Sequence, residues 1–177
     1  MYTPLRLVLF DFDGTLCDSA TTIIRLMQQA CEDCGLPMPD SQKIRGNIGH
    51  GVNHSALDYV GDDCEKAAAL ADCYRALSQS EYLSKNAPLD PLFDGAASVL
   101  QTLSEAGYFT GIITNKSRTG LQSLIERHGL GALLDISLTA DDCMVKPAPD
   151  MAIEAMRQLG VDKENTLLIG DTEIDAG

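Results

Sequence analysis

Residues 5–19 read LRLVLFDFDGTLCDS. The apolar run 5–10 reads as a buried strand, and it runs directly into two carboxylates, Asp11 and Asp13. Side chains two apart on an extended chain point the same way. Continuing that geometry past Phe10 aims both carboxylates at one small volume. Like charges held there repel, and burial strengthens the repulsion. Something must offset that cost, and a cation is the simplest answer.

Working outward, Asp18 and Ser19 are candidate caps for a helix over 20–34, with Ile23, Ile24, Met27, Ala30 and Cys34 as its apolar stripe. Gly35 and the prolines at 37 and 39 end it. Residues 40–86 carry helical patterns only, with a Gly-rich turn at 45–51, RGNIGHG. Asp62, Asp63, Glu65 and Lys66 read as a solvated face of this span. The segment APLDPLFDG (87–95) breaks the pattern and suits a hinge. Helices over 95–106, 118–128 and 150–159 then alternate with strands at 109–113, 135–138 and 166–169. That rhythm predicts α/β architecture, with a Rossmann-like, mostly parallel sheet and a helical insertion after the first strand. The expected division is a core of residues 1–17 and 88–177 and a helical unit of 18–87.

Thirteen Lys and Arg against 26 Asp and Glu give a formal charge of -13. Such a field repels nucleic acid and anionic membranes, so neither is an expected partner. It also repels a phosphorylated ligand unless a local cation reverses the sign. The acidic interruption of the N-terminal apolar segment does not fit a signal peptide, and no apolar stretch is long enough to span a bilayer. The expected location is the cytoplasm. Cys31 and Cys34 form the chain's one CxxC, without a second pair at zinc spacing, and read as reduced thiols.

Parallel sheets bind ligands beyond the carboxyl ends of their strands. Here those ends carry Asp11 and Asp13, then Thr114, Asn115 and Lys116, then Asp171, Thr172 and Asp175, with Lys146 on the intervening loop. An oxygen-rich cluster of Asp11, Asp13, Asp171 and Asp175 suits Mg²⁺, which commonly shares its coordination with phosphate. A deprotonated carboxylate can attack phosphorus, and a second two residues away can move the proton. Thr114 and Lys146 supply donors for the phosphoryl oxygens.

These residues resemble the haloacid dehalogenase superfamily of phosphohydrolases, in its phosphoglycolate phosphatase-like branch. The resemblance rests on four motifs in order: D11-F-D13-G-T-L, I-I-T114-N115, K146-P and G-D171-T-E-I-D175. It implies Asp11 as the residue that becomes phosphorylated and Asp13 as acid/base. It implies phosphate contacts from Thr114 and Lys146, with Asn115 near the substrate. It also implies Mg²⁺ held by Asp11, the Asp13 carbonyl, Asp171 and Asp175. Residues 18–87 then correspond to a cap, with Arg45, Gly49, His50 and Gly51 as candidate substrate contacts. The expected function is hydrolysis of a small phosphorylated metabolite such as 2-phosphoglycolate. A sugar phosphomutase, a phosphonatase using Lys43, and an inactive fragment with a binding role are the alternatives. The family continues past the fourth motif, so a C-terminal part of the core is expected to be missing here. A second copy of the chain, as a homodimer, is one way to cover the resulting sheet edge.

Overall fold

The computed structural model describes residues 5–61, 63–84 and 86–176; Asp62 and Gly177 lie outside them. Strand β1 (Leu7–Phe10) is followed by four helices, α1 (Ala20–Asp33), α2 (Ser41–Gly46), α3 (Val52–Val60) and α4 (Cys64–Leu83). Then come α5 (Ala96–Glu105), β2 (Phe109–Thr114), α6 (Arg118–His128), β3 (Ile136–Thr139), α7 (Asp150–Leu159) and β4 (Thr166–Ile169). All pairings are parallel, in the order β3-β2-β1-β4.

All four residues of β1 are buried, because both faces of the sheet are covered. Val8 and Phe10 face one layer with Leu100, Leu121 and Leu124 of α5 and α6. Leu7 and Leu9 face the other, with Met151 and Ala155 of α7. Each large side chain so buried contributes about 1.5–3 kcal/mol. The edge strand β4 is different: Leu167 and Ile169 remain 56% and 38% exposed, while Leu168 packs inward.

Helices α1–α4 enclose a third apolar cluster of their own, centred on Met27, Ala30, Ile44 and Leu70. In α1 the expected stripe is displaced: Cys31 is buried, and Cys34 is only half-buried at the helix end. Gly35, at φ +64°, closes that helix, with the Leu36 amide donating back to the Cys31 carbonyl at 2.8 Å. Two chain segments link this helical cluster to the sheet. They run antiparallel, the Asp18 amide donating to the Pro91 carbonyl (2.8 Å) and the Phe93 amide to the Leu16 carbonyl (3.0 Å). Among the described residues, no helix is long and apolar enough to cross a membrane.

Candidate active site

The chain leaves β1 toward β2 and β3, then returns to add β4 on β1's other side. The carboxyl end of β1 is therefore the switch point where a crevice opens. Asp11 follows β1, Thr114 ends β2 and Asp171 follows β4, so three distant segments meet there. The Asp11 amide continues the ladder by donating to the Ile169 carbonyl at 2.9 Å.

Asp11 is 1% exposed. Its Oδ1 lies 2.7 Å from Lys146 Nζ, and the same ammonium lies 2.5 Å from Asp175 Oδ1. Asp11 Oδ2 is buried without a hydrogen-bond partner. Burial pushes the Asp11 carboxyl up to about 6, with Lys146 pulling the other way and Asp13 and Asp175 adding to the rise. Burial also works to raise Asp175, but Lys146 and the Thr172 hydroxyl and amide hold it below its ordinary value.

Asp13 has a different lysine. Lys116 Nζ sits 3.0 Å from its Oδ1 and donates to the Tyr82 hydroxyl at 2.8 Å. Burial opposes charge on Lys116, yet Asp13 and Tyr82 hold it protonated well above the ordinary lysine range. The Ser19 hydroxyl donates to Asp13 Oδ1 at 2.5 Å. Ser19 stands at the helix N-cap but makes no side-chain cap bond, so the capping expectation fails: its hydroxyl serves Asp13 instead. The expected repulsion between the two carboxylates is thus offset partly by two buried lysines.

Asp11, Asp171 and Asp175 each bring a carboxylate oxygen within 4.8 Å of the others. Asp171 is exposed and accepts from the Thr15 hydroxyl at 3.0 Å, so water solvates its charge. One carboxylate oxygen from each of Asp11, Asp171 and Asp175, gathered this closely, fits a hard divalent cation such as Mg²⁺. The side chain of Asp13 is outside this group, being turned to Lys116.

A cavity of about 420 Å³ lies over Asp11, Asp13, Thr114, Asn115 and Lys116, roofed by α1–α4. Thr114 is buried, and its hydroxyl accepts from the Lys116 amide at 3.2 Å. Gly49, His50 and Gly51 reach the cavity; Arg45, on α2, is exposed and does not line it. Arg75 of α4 lines it instead, braced by Asn53 at 2.6 Å. His50 stacks on His54 at 4.7 Å, and burial and that neighbour lower its proton affinity. Lys43 is exposed, bound to Asp58 and away from the cavity, which removes the geometry for a phosphonatase Schiff base. Sequence reasoning gave no role to Lys116, Tyr82 or Arg75. A lysine directly after Thr114 and Asn115 was the available signal for the first.

The haloacid dehalogenase-like hydrolase family model matches residues 8–177. The chain is 31% identical to the N-acetylmuramic acid 6-phosphate phosphatase of Pseudomonas putida, covering 98% of this chain and 78% of that protein. It is 29% identical to a phosphoglycolate phosphatase of Cupriavidus necator, covering 97% and 75%. Among solved structures, a haloacid dehalogenase-like family hydrolase from Streptococcus pneumoniae shares the fold, with TM-score 0.80, 24% identity and coverage of 97% and 78%.

Proposed function

The chain belongs to the haloacid dehalogenase-like hydrolases and is a phosphatase, and from that premise we propose that it is Mg²⁺-dependent and works through phosphorylated Asp11. The observation that carries this reading is Asp11, whose Oδ2 is buried and unpartnered and whose carboxylate stands in one acidic group with Asp171 and Asp175. A carboxylate oxygen kept free of donors is a nucleophile in waiting.

In this reading Asp11 Oδ2 attacks phosphorus as the bond to the leaving oxygen breaks, and Asp13 gives that oxygen its proton. Asp13 then takes a proton from water, whose oxygen attacks the phosphoryl group and restores Asp11. Inorganic phosphate and an alcohol are the products. Lys146 and Thr114 hold the phosphoryl oxygens, and Lys116 with Ser19 keeps Asp13 at the cavity wall. Asp11, Asp171, Asp175 and the Asp13 carbonyl would hold Mg²⁺, which supplies positive charge against the phosphoryl oxygens. Residues 18–87 act as the cap that selects substrate, and residues 1–17 with 88–177 as the catalytic core. We place the enzyme in the cytoplasm, consistent with thiols at Cys17, Cys31, Cys34, Cys73 and Cys143.

2-Phosphoglycolate is one candidate substrate. An amino-sugar 6-phosphate is a second, supported by the 31% identity to an N-acetylmuramic acid 6-phosphate phosphatase and by a cavity of about 420 Å³, within the usual range for small-molecule sites. Phosphate release from 2-phosphoglycolate, N-acetylmuramic acid 6-phosphate and hexose 6-phosphates, with and without Mg²⁺, tests the proposal. Release that requires Mg²⁺ and disappears in folded Asp11→Asn supports it. No release from any ester supports the inactive binding fragment, and isomerised sugar phosphate without free phosphate supports the mutase.

A further inference from the structure

Three hydrogen bonds engage the Asn115 carboxamide, and they use both of its N–H donors. Nδ2 donates to the Gly49 carbonyl at 2.8 Å and to the Lys146 carbonyl at 3.1 Å. Oδ1 accepts from the Lys146 amide at 2.8 Å. An amide has two N–H donors, and here both face carbonyls, leaving neither for a phosphoryl oxygen. Gly49 belongs to the lip between α2 and α3, while Lys146 is the residue whose ammonium touches Asp11. The two lip glycines also stand close to core side chains, with room for little more than a methyl. A methyl on Gly51 would lie 3.6 Å from the Val145 side chain, and one on Gly49 3.4 Å from Thr172 Cγ2.

We propose that Asn115 is a positioning residue whose carboxamide ties the lip at 47–51 to the backbone of Lys146, making lip closure and the placement of Lys146 against Asp11 a single event. The inference rests on the phosphatase and cap reading above. It assigns the Asn115 side chain to the lip and to Lys146, in place of direct phosphate contact.

Asn115→Asp keeps the acceptor for the Lys146 amide but sets oxygen against two carbonyls; Asn115→Ala removes every bond and serves if the first variant folds poorly. Hydrogen exchange of the lip peptide, in protein without ligand, is expected to quicken about tenfold in either variant, with peptides from α6 and α7 unchanged. With 4-nitrophenyl phosphate and Mg²⁺, kcat is expected to fall about tenfold while KM stays within threefold, because Lys146 acts on charge developed in the transition state. Unchanged lip exchange in both variants overturns the proposal. So does a rise in KM at constant kcat, which marks a ground-state contact with substrate. Absence of turnover in the parent chain counts against the phosphatase reading, whereas lip exchange alone then decides the tie.

Discussion

Lys146 Nζ lies 2.7 Å from Asp11 Oδ1, with both side chains almost wholly removed from water. The pairing fixes one oxygen of Asp11 and leaves the other bare. It also binds Asp11 electrostatically to Asp175, since one ammonium serves both carboxylates. One ammonium shared by two carboxylates leaves this corner of the site short of positive charge.

Replacing Lys146 by Met leaves two buried carboxylates without a counter-charge. Breaking a buried pair from one side costs about 3–5 kcal/mol. The variant is expected to melt well below the parent in chelator and to recover part of the loss in millimolar Mg²⁺, as read by thermal denaturation.

Asp11 has the opposite consequence. Its carboxyl, raised to about 6 from an ordinary 3.8, binds a proton more tightly folded than unfolded. Its contribution to stability is full below pH 3.8 and is lost as pH rises through 6. Above that, ionised Asp11 costs about 3 kcal/mol against the protonated form. Asp11→Asn is expected to raise Tm by a few degrees at pH 7.5 without metal, to change little at pH 4, and to abolish turnover. Mg²⁺ is expected to narrow the Tm gap, because it stabilises the parent alone.

Lys116 and Tyr82 separate charge from packing. Lys116→Met leaves Asp13 buried and unpaired and is expected to lower kcat at least tenfold with a clear drop in Tm. Tyr82→Phe keeps the ring and loses the hydroxyl that accepts from Lys116, costing about 1 kcal/mol with kcat within a few-fold. Steady-state kinetics and melting curves on both variants check the order.

Gly14 adopts φ +91°, and a Cβ there would stand 2.4 Å from Asp171 Oδ2. Gly14→Ala therefore combines backbone strain with displacement of one proposed metal ligand. The half-saturating Mg²⁺ concentration for turnover is expected to rise at least tenfold, while KM at saturating Mg²⁺ moves little.

The sheet was largely legible because each strand is a short apolar run with polar residues at its carboxyl end; 109–113 and 166–169 match β2 and β4 within a residue. Meeting of Asp11 with Asp171 followed from that rhythm alone. The partnering of charges did not. A sequence places Lys116 two residues past Ile113's neighbour Thr114 but says nothing of Tyr82, which arrives from α4 through tertiary packing. Ser19 looked like a cap because cap chemistry is local, whereas its actual partner, Asp13, depends on how the linker folds back. Arg45 stands out because it sits in the Gly-rich turn segment, whereas Arg75, inside an ordinary helical pattern, carries no such signal; both are exposed, and Arg75 alone of the two lines the cavity.

The central claim is that Asp11 carries the phosphoryl group, and stalling its hydrolysis tests this most directly. Asp13→Asn, incubated with Mg²⁺ and a phosphate ester that the parent cleaves, then quenched in acid, is mapped by peptide mass spectrometry. The account predicts a phosphoryl adduct on Asp11, absent when Mg²⁺ is chelated. An adduct on any other residue, or turnover in the parent with Asp11 unmodified in the stalled variant, would contradict it.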